Sequence, residues 1–191
     1  MITNKNIAFI KCGWSERYKG DQVLGRHGYI QDREAHEKYN FFQHPDDGNY
    51  QVYIPPVRKN APRPIEHDDW LLILVAAEEG CKPLKIVGWY KDAEFVQKYK
   101  ERTIFPGDGT GIAPTDGGDN FLYCITAPKA VWVPPELRST TTVSLGKRLG
   151  STPIAYIQGN GKTREMHPWR ENFYQAAMRF INAYERHNPS E

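Results

Sequence analysis

No stretch of the sequence approaches the roughly 20 consecutive apolar residues that a bilayer-spanning helix needs, so a membrane partner is not expected. The start, Met1-Ile2-Thr3-Asn4-Lys5-Asn6, lacks the apolar core of a secretory signal, and the expected address is the cytoplasm. Cysteine is scarce. Cys12, Cys81 and Cys124 are far apart and odd in number, which argues against a disulfide framework and against a paired-cysteine metal knuckle. Charge of one sign is also lacking. A formal net charge of +2 excludes a protein that coats nucleic acid by bulk positive charge, and leaves open a local basic face. Neither an internal repeat nor a low-complexity tract interrupts the chain.

What is present fits one globular domain spanning residues 1–191. Hydrophobic residues make up 39% and charged residues 25%, a composition that can bury a core. Aromatics reach 13%, with 11 Tyr, 8 Phe and 5 Trp. Ile7 to Cys12 is apolar on both alternating faces and reads as a central strand, as does Trp70 to Ala77. Leu84 to Tyr90 follows a Glu-Glu-Gly turn and is expected to be the antiparallel neighbour of the latter. Tyr50 to Ile54, Phe121 to Thr126 and Val131 to Val133 are further strands. Asp32 is placed to cap a short helix through Lys38. Residues 58–69 are proline-rich loop, and 103–120 form a long Gly-rich loop of the kind that is functional or disordered. From 168 to 187 a helix is expected, with Phe173, Ala177, Phe180, Ile181 and Tyr184 on one stripe. The elements add up to an α+β fold, a curved sheet or partly closed β-barrel with flanking helices and a C-terminal helix on one face.

Catalytic patterns fail on inspection. His67-Asp68-Asp69 would point in alternate directions on an extended chain and makes a poor metal site. Cys12 and Cys124 lie in apolar strands, where burial raises a thiol pKa and quenches a nucleophile. Gly159-Asn160-Gly161-Lys162-Thr163 ends like a phosphate-binding loop but lacks the earlier glycine at Ala155-Tyr156. No nuclease pattern is found either. The expectation is a chain without an active centre, a metal or a cofactor.

Aromatic residues beside turns and polar groups are the more telling feature: Trp14-Ser15 with Tyr18, His27 with Tyr29, and Trp89-Tyr90 before Asp92. Simple alternation along Leu84 to Tyr90 puts Trp89 on the face of Lys85, lining a surface or pocket, and Tyr90 on the core face. Trp14, between a glycine and a polar loop, is expected to be exposed for a ligand.

The pieces FIKCGWSERYKG, GRHGYI, HEKYNF, the YIPP strand end and LKIVGWYKDAEF together resemble the PUA-like superfamily (EVE, YTH, SRA and ASCH domains) over residues 6 to 185. The resemblance is nearest to EVE-like amino-terminal modules of modification-dependent HNH restriction endonucleases. It implies a base swung out of the stack, sandwiched by aromatics and read along its edge. Cys12-Gly13-Trp14-Ser15 stands where the related YTH readers carry their pocket-rim loop. No nuclease half follows, so a lone reader and a piece of a longer chain both fit, with a nuclease domain or subunit as a partner.

The resulting expectation is a binding module for a modified base, a methylated or hydroxymethylated cytosine in double-stranded DNA, in restriction or phage defence. Trp14, Tyr18 and Trp89 would form the aromatic pocket, and Ser15 and Asp92 would read the base edge. Arg17, Lys19, Arg26, Lys147 and Arg148 would hold phosphates. A reader of modified RNA and a peptide-binding scaffold are the alternatives.

Overall fold

A computed structural model describes residues 6–25, 35–80, 83–102, 121–140, 142–143, 152–161 and 168–188. Among them eight strands form one mixed sheet and a single long α-helix follows. The strands are β1 (Asn6–Cys12), β2 (Tyr50–Val52), β3 (Trp70–Ala77), β4 (Leu84–Glu101), β5 (Leu122–Ala127), β6 (Lys129–Trp132), β7 (Thr142–Val143) and β8 (Ile154–Gln158). The order across the sheet is β2-β5-β4-β3-β1-β8, with β6 and β7 also pairing with β4. β1 runs parallel to β3 and antiparallel to β8, whereas β3 and β4 are antiparallel neighbours as the turn between them predicts. Among the described residues the sheet is open, with β2 and β8 at its ends, rather than a closed barrel.

β1 and β3 are buried along nearly their whole length because both faces of the sheet are covered. On one face Ile7, Phe9, Leu71, Ile73, Val75 and Ile86 meet the helix α1 (Pro168–His187). Its residues Phe173, Ala177, Met178 and Ile181 are buried there, a spacing of one helical stripe. On the other face Ala8, Ile10, Leu72, Leu74 and Tyr90 pack against Tyr18, Phe41, Val52 and Ile54, which come from the largely irregular chain, including β2, between β1 and β3. The expected helix from Asp32 to Lys38 is a 3-10 turn, His36–Tyr39; Asp32 itself is outside the described residues. So is the Gly-rich segment 103–120.

β4 differs most from expectation. It does not stop at Tyr90 but continues to Glu101, because it exchanges partners along its length. The first half pairs with β3 on one edge and β6 on the other, and the second half pairs with β5. Asp92 (φ 56°) and Gln97 (φ 68°) take left-handed backbone where the strand turns. Nearer its start, Leu74 pairs with Gly88 and Val75 with Ile86, so Val87 is an extra residue, a β-bulge. Gly88 then lies against the Phe41 ring and the Val131 carbonyl, and a Cβ there would overlap both. β8 escaped the sequence reading altogether, although Ile154 to Ile157 sits between Pro153 and Gly159 as a short strand should.

Candidate functional site

The bulge at Val87 decides where Trp89 goes. Without it Trp89 would share a face with Lys85; with it, Trp89 joins Ile86 on the face under α1. The ring is 0% exposed, edge-on to Phe180 and Tyr184, and its Nε1 donates to Glu185 Oε1 at 2.9 Å. Lys91 reaches the same oxygen at 2.6 Å. Trp89 is a core residue, and the expectation that it lines a pocket is corrected.

Trp14 is buried as well, at 8% exposure. The segment after β1 does not run out into solvent. It folds back, with Trp14 and Leu24 exchanging backbone hydrogen bonds of 2.8 and 2.6 Å. The Arg138 guanidinium lies 4.7 Å from the Trp14 ring centre and Lys85 Nζ 5.5 Å, a cation–π pair of contacts. Arg138 is fully buried and donates to the carbonyls of Val133, Ser15 and Glu16, so it fastens this loop to the sheet.

The other expected pocket residues are committed inside the same loop. Ser15 Oγ donates to Asp21 Oδ2 at 2.8 Å. Tyr18 is wholly buried; its hydroxyl donates to the Gly13 carbonyl at 2.6 Å and lies 3.6 Å from Cys12 Sγ. Burial works against the charge of Asp21, but the N–H of Arg17, the Ser15 hydroxyl and the N–H of Tyr18 outweigh it, holding its carboxyl below the usual value. Asp92 is exposed and ion-paired to Lys129 at 3.0 Å. It lies seven residues along β4 from Lys85, roughly 20 Å on an extended strand. The structure therefore brings Trp14, Ser15 and Tyr18 together as a packed loop, and separates Trp89 and Asp92 from them. Of the expected phosphate ligands, Arg17 is held by Asp21 at 3.2 Å and Lys19 is exposed. Arg26, Lys147 and Arg148 lie outside the described residues.

Glu37, in the 3-10 turn, is a titratable group altered by this packing. It is buried and accepts the Gly13 N–H at 2.7 Å, and burial pushes its carboxyl up to about 7. Burial, with Glu37 adding to it, pushes the Cys12 thiol up to about 12, so the thiol is no nucleophile. Among the described residues no group of three His, Cys, Asp or Glu side chains could hold a metal ion.

A cleft of about 750 Å³ opens elsewhere, between the turn at 57–63, the edge strand β8 and the start of α1. Arg58, Arg63 and Arg170 line it, with Tyr156 and Trp169, and among the described residues no carboxylate lines it. Arg58 sits at the apex of a tight turn closed by Val57 and Asn60, in left-handed backbone (φ 63°) that an arginine rarely adopts. Arg63 donates its Nε to the carbonyl of Gln97, at the second bend of β4. Asn160, between two glycines of positive φ, accepts the Ile65 N–H with its side-chain oxygen at 3.0 Å. That bond ties the turn after β8 to the proline-rich loop. Tyr156 and Trp169 are each half-buried, and Tyr156 packs on Trp70.

None of these residues stands out in the sequence. Residues 58–69 look only like proline-rich loop, and Gly159-Asn160-Gly161 only like a failed phosphate loop. Their one legible hint is the cluster Arg58, Lys59 and Arg63 without an acidic residue between them. No family model, no curated protein and no solved structure matches the chain.

Proposed function

We propose that the chain is a nucleic-acid-binding module that receives one base, and that the cleft between β8, the 57–63 turn and α1 is where it does so. The carrying observation is the lining: three arginines and two half-buried aromatics, with no carboxylate beside them among the described residues. Arginine and aromatic rings in one groove match the two needs of a nucleotide, charge for the phosphate and a flat apolar face for the base. The asparagine amides of Asn60 and Asn160 supply donors and acceptors suited to a base edge. The resemblance to PUA-like readers narrows the proposal to a methylated or hydroxymethylated cytosine in DNA, serving restriction or phage defence, with the base moved to a site other than the Trp14 loop.

Fluorescence anisotropy with duplexes carrying cytosine, 5-methylcytosine or 5-hydroxymethylcytosine tests this reading. A modified duplex is expected to bind more tightly than the plain one, with affinity falling as salt rises because phosphate contacts release counterions. Trp169→Ala should weaken binding by about 5- to 150-fold, the loss of roughly 1–3 kcal/mol of stacking. Trp14→Ala should instead lower the melting temperature, as loss of a packed ring does. Affinity that ignores both salt and Trp169→Ala would remove the cleft from the function.

A further inference from the structure

Arg170 is 6% exposed, yet its Nε and Nη1 have no hydrogen-bond partner among the described residues. Its guanidinium lies 5.4 Å from the centre of the neighbouring Trp169 ring. Buried polar groups in folded proteins are nearly always hydrogen-bonded, because dry N–H groups lose their water without compensation. The contrast with the two other buried arginines is sharp. Arg138 directs three nitrogens at three carbonyls, and Arg102 directs its terminal nitrogens at the carbonyls of His36 and Gln51 and at Asn40. Both are structural fasteners, although Arg102 Nε is itself unpaired; Arg170 makes no such bond from Nε or Nη1 among the described residues, and it lines the cleft. It also stands in the first turn of a 20-residue helix, the end of the helix dipole that favours an anion.

We infer that Arg170 and Arg63 seat the phosphate of the single nucleotide that enters the cleft. This inference rests on the nucleic-acid reading and narrows it. A cleft of about 750 Å³ falls within the roughly 300–1,000 Å³ of small-molecule sites and has room for one nucleotide. Arg63 completes the seat from the opposite chain segment. It is exposed, and its Nε bond to Gln97 fixes the side chain; its terminal nitrogens have no bond among the described residues. The left-handed turn that carries Arg58 adds a third cation at the rim.

Calorimetric titration of the full chain with deoxycytidine 5′-monophosphate, deoxycytidine and inorganic phosphate tests the seat. The monophosphate is expected to bind roughly tenfold or more tightly than deoxycytidine, since hydrogen bonds to a charged group are the strong ones. Arg170→Met should remove that advantage. Arg63→Ala, at an exposed position that cannot unfold the domain, should weaken the monophosphate several-fold, and decides the matter if Arg170→Met fails to fold. Equal binding of nucleoside and monophosphate, or wild-type monophosphate affinity in Arg63→Ala, overturns the inference. Inorganic phosphate binding as well as the monophosphate would remove the nucleoside from it. Duplex binding that prefers modified cytosine, with no response to either arginine variant, would leave the broader function standing without this seat. Monophosphate binding with no preference for modified duplex would do the reverse.

Discussion

Glu37 holds its proton well into the range where an exposed glutamate has lost it. Its carboxyl rises from 4.5 to about 7 because burial penalises the anion, and the single Gly13 N–H does not make up the difference. Between those two values the folded chain binds a proton that the unfolded chain has released, so stability falls as pH rises through that window. The full effect, reached above pH 7, is about 3 kcal/mol. Urea titrations across pH 4 to 8 are expected to show this decline, and Glu37→Gln, which keeps an acceptor for Gly13, should flatten it. A wild-type profile without the decline would mean that the carboxyl finds water. The same burial explains why sequence reasoning misplaced Trp14. A tryptophan between glycine and polar residues looks exposed, but the ring is covered by Arg138, which lies more than 120 positions away. Nothing local in Gly13-Trp14-Ser15 encodes that arginine.

At the scale of elements, the strands with two covered faces were the most legible. β1 and β3 begin and end within a residue of where their apolar runs do, because such strands must be apolar throughout. The stripe of α1 was legible for the same reason. β4 was not, since its alternation is broken by an extra residue and its length is set by which strands flank it. One inserted residue inverted the reading of Trp89. β8 is short and half-exposed, so its pattern carries little signal until β1 is there to pair with it. The bulge makes its own prediction. Gly88→Ala would press a methyl into Phe41 and the Val131 carbonyl, in the middle of the β3–β4–β6 pairing. A loss of roughly 1–3 kcal/mol is expected by chemical denaturation, and an unchanged midpoint would mean that β6 can move away cheaply.

Over the whole molecule, one sheet separates two unlike cores. A regular helix covers one side, and the other is filled by irregular chain tied down by buried Arg138 and Arg102 and by Asn40, whose side chain bonds both ways to the backbone of Tyr53. Composition and periodicity speak for the first core and are silent on the second, because hydrogen bonds between distant loops leave no period in a sequence. Two thiols happen to sit in that second core, Cys12 on β1 and Cys124 on β5, at different positions across the sheet. Burial pushes both up to about 12, so neither reacts until the chain around it parts. Alkylation thus becomes a clock for opening, read separately at each thiol by peptide mass. If the irregular core comes apart as one unit, the two will be labelled at the same slow rate and both will quicken together in urea. If the β2–β5 edge frays by itself, Cys124 will be taken first while Cys12 stays hidden. Labelling of both as fast as an exposed thiol would mean that this core is not closed in solution.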